Sequence, residues 1–264
     1  QVYKELEILT ARPPKKNQEN IKHHLYGFQS VKKNFSTGSW LKFAINKIKE
    51  IQRRKKIPIL VGGTGLYFKS ITEGLVKIPS IPIRTRNKIR LLQKNIGQKK
   101  FYQKLLKMDP LVKNQFNSKD VQRTIRAFEI KKFTKKSITK WFQKTKILFN
   151  PNDFIKIYID FPREELVLKI KKRVDQMFKE GAILEVKRFN KLKVKSENSS
   201  RKVIGLYEIT KYLNGECDIN EAKERIYIKT RQYAKRQTTW ARGQMKSWKK
   251  IDPKYLNITL NKLK

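Results

Sequence analysis

Apolar residues recur at helical spacing over most of this chain, and the exceptions fall where a buried sheet would need them. Residues 40–56 mix basic positions with apolar ones in a helical pattern. Directly after them, Ile57-Pro-Ile-Leu-Val-Gly-Gly63 is a short unbroken apolar run ending in glycines, which predicts a buried parallel strand. Residues 64–73 return to an amphipathic helical pattern and close at Gly74. A strand, a tight glycine turn and a helix form the ligand-binding corner of an open α/β sheet, since ligands gather at the carboxyl ends of such strands. A second strand is predicted at residues 154–159, and Asp160-Phe-Pro162 follows with its proline well placed for the first turn of a helix.

Between the predicted strands, residues 79–150 are almost free of glycine and carry Lys with Leu, Ile and Phe at helical spacing, punctuated by Pro79, Pro82 and Pro110. This predicts a helical insertion domain of residues 79–150 within an α/β core of residues 1–78 and 151–264. Beyond Asp160 the pattern is mostly helical, with breaks at Gly181, at residues 195–200 and at Asn214-Gly215. Asp218-x-x-Glu221 has capping-box spacing and opens a helix that extends past Trp240. Residues 254–260 alternate and predict a final strand returning to the sheet.

A chain of 264 residues can bury a substantial core and carry a smaller insertion. Its 64 Lys and Arg against 22 acids give a net charge of +42, which points to a polyanionic partner. A biased codon composition rich in Lys, Asn and Ile inflates charge as well, so charge alone does not single out nucleic acid. Cys217 is the only cysteine, which excludes an internal disulfide and a thiolate metal cluster and fits a reducing cytosol. No apolar run approaches the roughly 20 residues of a membrane span, and the N-terminus lacks the order of a secretory signal, so a soluble, cytoplasmic protein without a membrane partner is expected.

The sharpest local signal is Val61-Gly-Gly-Thr-Gly-Leu-Tyr67, where glycines let the backbone approach a ligand and the Thr64 hydroxyl can bond a base edge or phosphate oxygen. The same residues fit a helix-start turn in which Thr64 merely caps the next helix. The phosphate cradle GxxxxGK[ST] occurs nowhere in the chain. Residues 119–129 place Gln122, Arg123 and Arg126 within about one helical turn, suited to holding phosphate or reading a base, or to forming a solvated basic face; Arg84 and Arg86 share that ambiguity. In residues 230–242, Arg231, Lys235, Arg236 and Arg242 interleave with Tyr233 and Trp240, a common RNA-binding composition. Helical spacing makes Arg225, Lys229, Gln232, Arg236 and Thr239 a polar stripe and lets Ile226, Tyr233 and Trp240 face a core. His23-His24 are too adjacent to share one metal comfortably, and no acidic or cysteine cluster supports a zinc site. No paired carboxylates or general acid/base set is evident.

Taken in order, these segments resemble the bacterial tRNA dimethylallyltransferase family. The resemblance runs through Gln1-Val-Tyr-Lys, Thr10-Ala-Arg-Pro13, His23-His24-Leu25, residues 57–67, Gln122-Arg123 with Arg126-Ala127 and Glu129, Asp160 with Arg163, Arg173-Val-Asp-Gln-Met177, Ile204-Gly205 and residues 230–240. It implies a P-loop-kinase-like α/β fold with nucleotide binding, a helical insertion gripping the tRNA anticodon stem-loop, and a monomer. It implies transfer of a dimethylallyl group from dimethylallyl diphosphate to the exocyclic amine of the adenine 3′ to the anticodon, with Mg²⁺ supporting the leaving diphosphate. By the same resemblance Thr64 contacts the target nucleotide and Gln1 touches that base. Arg86, Gln122, Arg123, Thr124, Ile125 and Arg126 are tRNA-contacting positions. Arg231, Lys235 and Arg236 lie on a helix along the tRNA, and Lys202 stands near the diphosphate. In that family the phosphate loop and the aspartate proposed as general base precede the position of Gln1. These 264 residues, read as an N-terminally truncated chain, are therefore expected to bind tRNA in part and not to catalyse transfer. A small-molecule kinase and a noncatalytic RNA-binding remnant stay open as alternatives.

Overall fold

The computed structural model describes residues 1–18 and 20–262. The chain forms two compact units, one of residues 1–70 with 152–264 and one of residues 71–151. Among the described residues the fold is mostly helical, with a two-stranded parallel sheet.

In the larger unit, helix α1 (Thr37–Arg53) starts where the Ser36 hydroxyl accepts the amide hydrogen of Ser39, and it buries Leu41, Ala44 and Ile48. Residues 57–62 follow without regular secondary structure and pair with no strand among the described residues. Ile57, Ile59 and Val61 are 84%, 79% and 77% exposed, so the expected buried strand is absent here: without a neighbouring strand, nothing covers that face. Helix α2 (Gly65–Thr72) then begins at the glycine turn.

The smaller unit rests on two helices. Helix α3 (Ile83–Met108) is broken at Gly97, whose φ of 73° and ψ of 164° suit glycine, and helix α4 (Val121–Thr134) is capped by Asp120. They meet through Ile89, Phe101, Leu105, Ile125, Ala127, Phe128 and Ile130, with the Phe101 and Phe128 rings 4.9 Å apart. A short helix, α5 (Ile138–Phe142), adds Ile138 to this core.

Strand β1 (Ile157–Ile159) leads the chain back into the larger unit. Helix α6 (Arg163–Lys179) follows Pro162, with Glu164 and Glu165 in its first turn favouring the positive end of the helix dipole. It buries Ile170, Val174 and Met177 on one stripe; α7 (Ala182–Lys191) buries Ala182, Val186 and Phe189 likewise. Helix α8 (Leu206–Leu213) and the long α9 (Ile219–Gln244) close the core over Tyr3, Leu6, Leu9 and Val31. The Asp218 carboxylate caps α9 by accepting the amide hydrogens of Asn220 and Glu221 at 2.7 and 2.9 Å.

The strand that joins β1 is β2 (Lys249–Ile251), parallel and in register Ile157 to Lys249 and Ile159 to Ile251. Residues 254–260 are not the expected strand: the Asp252 carboxylate accepts from the Lys254 amide and starts a helical turn that continues as α10 (Leu256–Asn261). Among the described residues no helix is long and apolar enough to cross a membrane.

Carboxylates pin the loops of the larger unit. Glu185 accepts the amide hydrogens of Glu7, Ile8 and Leu9 at 2.6, 2.9 and 3.0 Å. Glu5 accepts from the Ser30 hydroxyl and the Val31 amide, and Glu208 from the Gly205 amide. Each satisfies backbone donors that would otherwise be stranded away from water.

Candidate functional site

The glycine turn of residues 62–65 presses against the C-terminal half of α9. A Cβ built on Gly63 would lie 2.0 Å from Gln237 Nε2, and one on Gly65 would lie 2.1 Å from Trp240 Nε1. Close approach therefore explains glycine at both positions and leaves Thr64 between them, exposed. The Thr64 carbonyl accepts the Tyr67 amide hydrogen at 2.9 Å, so the residue stands at the opening of α2. Trp240 Nε1 is buried with no hydrogen-bond partner among the described residues.

Aromatic side chains stiffen the turn from behind. Tyr67 stacks on Trp40 with ring centroids 4.2 Å apart and planes 9° apart, and Phe68 meets Trp248 edge-on. Burial pushes the Tyr67 hydroxyl up to about 12, with smaller contributions from Tyr3 and Tyr233, so it is a neutral group at physiological pH. Lys69 Nζ donates to Gln244 Oε1 at 2.5 Å and ties α2 to the end of α9.

Along α9 the cations divide into two sets. Arg225 pairs with Glu221, and Lys229 pairs with the buried Glu208. Arg231, Lys235 and Arg236 are exposed and pair with no acidic side chain among the described residues. The Arg231 guanidinium stands 5.3 Å over Tyr227 and that of Arg236 5.7 Å over Tyr233, which presents both as flat cationic surfaces. Ile226 is buried as the helical stripe requires, whereas Tyr233 is 42% exposed rather than in the core.

Lys202 ends a one-turn helix, Ser199–Lys202, and is exposed. Its loop is fixed from beneath, because Ser200 and Asn198 both donate to the Val31 carbonyl and the Tyr3 and Ser199 hydroxyls lie 2.8 Å apart. Gln1 is exposed, and its side chain is tied to a neighbouring loop: Nε2 donates to the Ala11 carbonyl at 2.7 Å, while the Gln1 carbonyl accepts from the Gly27 amide.

In the smaller unit, Gln122 and Arg123 are exposed, with Arg123 paired to Asp120 at 2.7 Å. Arg86 and Arg126 instead converge on Glu129, joined by Arg90, which residue spacing alone had not marked. Thr124 and Ile125, two further positions that the resemblance marks as tRNA-contacting, are buried. Thr124 is 0% exposed and its hydroxyl donates to the carbonyls of Asp120 and Val121, while Ile125, 8% exposed, packs in the α3–α4 core. Among the described residues no group of three or more His, Cys, Asp or Glu could hold a metal ion, so they do not form a carboxylate cage for Mg²⁺.

The profile of the IPP transferase family matches residues 1–244. The tRNA dimethylallyltransferase of Pelagibacter ubique (strain HTCC1062) is 59% identical over all of this chain and 84% of its own length. That of Rickettsia massiliae (strain Mtu5) is 42% identical over 97% of this chain and 70% of its own length. Among solved structures, a eukaryotic dimethylallyltransferase captured acting on tRNA superposes with a TM-score of 0.76 at 29% identity, covering 91% of this chain and 61% of that one. The tRNA isopentenylpyrophosphate transferase of Bacillus halodurans superposes with a TM-score of 0.65 at 29% identity over 96% of this chain and 78% of its own. A profile match across both the glycine turn and the cationic helix it packs against places this chain in the IPP transferase family.

Proposed function

We propose that this protein prenylates tRNA, transferring a dimethylallyl group from dimethylallyl diphosphate to the exocyclic amine of the adenine 3′ to the anticodon. The observation that carries the reading is the packing of the exposed Thr64 turn against α9, the same helix that bears the exposed cations Arg231, Lys235 and Arg236, in a chain from this family. The comparisons favour this over a small-molecule kinase. They give no support to the expectation that these 264 residues are inactive; the Pelagibacter relative matches all of this chain over 84% of its own length.

In the reaction the amine nitrogen forms a bond to the allylic carbon, the carbon–oxygen bond to diphosphate breaks, and the amine loses a proton. Thr64 orients the target base by hydrogen bonding, after the base has left its stack to enter a sheltered site. Lys202, on its pinned loop, faces the charge that develops on the leaving diphosphate. Arg231, Lys235 and Arg236 hold the RNA backbone through charge and stacking. Mg²⁺ would neutralise diphosphate oxygens when bound with substrate; the described residues gather no metal cage. The role of general base is assigned to none of the described residues. The parallel pairing of β1 with β2 supports the P-loop-kinase-like sheet of the sequence reading.

The test is to incubate full-length protein with unmodified tRNA and dimethylallyl diphosphate and to analyse the digested nucleosides by mass spectrometry. Prenylated adenosine is expected, with a drop of about tenfold or more in kcat/KM for Thr64→Ala. A wild-type enzyme that leaves adenosine unmodified while phosphorylating a small molecule would overturn the proposal.

A further inference from the structure

Glu129 does more than cancel charge. It lies three residues after Arg126, so the two project from one face of α4, and Arg86 and Arg90, four apart, share a face of α3. Packing of these helices brings the two faces together around the Glu129 carboxylate, which is 1% exposed. Arg126 Nη1 is 3.2 Å from Oε2, Arg86 Nε is 3.4 Å from Oε1, and Arg90 Nε is 3.7 Å from Oε1. The three arginine side chains remain 37%, 43% and 40% exposed in the order 86, 90, 126.

One carboxylate cannot neutralise three guanidiniums, so the cluster keeps an excess of positive charge at its exposed side. Without the carboxylate the three cations would repel one another and splay into water; with it, they are held side by side. Each has several N–H donors and is nearest to Glu129 through a single nitrogen, which leaves forked donors for a planar or tetrahedral oxyanion. We infer that Glu129 is a positioning residue that holds Arg86, Arg90 and Arg126 as one preorganised site for the phosphate oxygens of an RNA backbone. Arg90 is the member of this site that residue spacing did not reveal. The inference rests on the proposed tRNA-binding function.

The two possible roles of Glu129 predict opposite signs. Glu129→Gln adds one positive charge to an already cationic protein, so general electrostatics would tighten RNA binding, whereas loss of positioning would weaken it. The probe is an unmodified tRNA anticodon stem-loop, titrated into full-length wild-type, Glu129→Gln, Arg90→Ala and the double variant across a salt series, with thermal melts in parallel. Glu129→Gln is expected to weaken binding about tenfold, and Arg90→Ala to weaken it by a similar factor and lower the salt slope by about 0.9. The double variant is expected to be little worse than either single one, because both disrupt the same site. Wild-type binding with unchanged or tighter binding by Glu129→Gln overturns the positioning role. Should Glu129→Gln fail to fold, Arg90→Ala alone decides: an affinity equal to wild type overturns the site. Absence of binding by wild-type protein overturns the tRNA reading itself.

Discussion

Replacing Gly65 by alanine tests how the exposed threonine is positioned. The added Cβ would stand 2.1 Å from Nε1, 2.2 Å from Cδ1 and 2.8 Å from Cε2 of Trp240, the first two more than an ångström inside the ordinary contact limit of 3.4 Å. Trp240 is a rigid ring with a buried edge, so relief requires the turn or the helix to move. Overpacking of this kind costs about 1–3 kcal/mol, and the better helix propensity of alanine offsets at most about 1 kcal/mol of it. A net loss of about 1–2 kcal/mol in urea unfolding is expected. The displacement of Thr64 is of the order that reduces kcat/KM in a tRNA prenylation assay by roughly ten- to a hundredfold. Gly63→Ala is the internal control: its Cβ meets only the amide end of Gln237, which can swing aside, so stability should fall by less than about 1 kcal/mol. If Gly65→Ala is as stable and as active as wild type, the close approach does not position the turn, and the reasoning is wrong.

Other parts of the structure lead to further expectations. Glu185→Ala strands three backbone N–H groups, of Glu7, Ile8 and Leu9, and should cost about 3–5 kcal/mol in chemical denaturation; a loss under about 1 kcal/mol would show that water replaces the carboxylate. The Tyr67 hydroxyl titrates at about 12 in the folded protein against 10.0 when unperturbed, so folding holds its proton more tightly. The stability it contributes is intact below pH 10.0 and is lost as pH rises toward about 12. Tyr67→Phe should flatten that part of the stability–pH curve, and identical alkaline slopes for both proteins would contradict the burial argument. Arg231→Ala and Arg236→Ala should each weaken tRNA binding several-fold and reduce its salt slope by about 0.9 with unchanged melting; a weakened affinity with an unaltered slope would mean that neither touches phosphate.

Helices with strong periodicity were legible in the residues themselves. The spacing of Leu41, Ala44 and Ile48 defines the buried stripe of α1, and Asp218 marks the start of α9. The sheet was legible only in part, because strand pairing depends on partners distant in sequence. Lys249-Lys-Ile251 carries no alternation yet pairs with β1, while the alternating residues 254–260 became helical once Asp252 capped the turn. Ile57, Ile59 and Val61 have the composition of a buried strand and no partner to bury them among the described residues. At the site, the glycine turn and the exposed α9 cations could be read from their motifs. Thr124 and Ile125 could not be separated from their exposed neighbours by a motif alone, since only the helix packing assigns faces. The Glu129 cluster left a faint signal in the three-residue step from Arg126 and the four-residue step from Arg86 to Arg90, but the meeting of those faces is a tertiary fact.

The central claim is that the Thr64 turn and the cationic face of α9 receive the same nucleotide region of a tRNA. Photo-crosslinking measures this directly: a tRNA carrying a photoreactive adenosine 3′ to its anticodon is bound to full-length protein, irradiated, digested and mapped by peptide mass spectrometry. Adducts within residues 62–67 and 231–240 are the outcome the account predicts. Adducts confined to other segments, with these two free of label under saturating RNA, would contradict it.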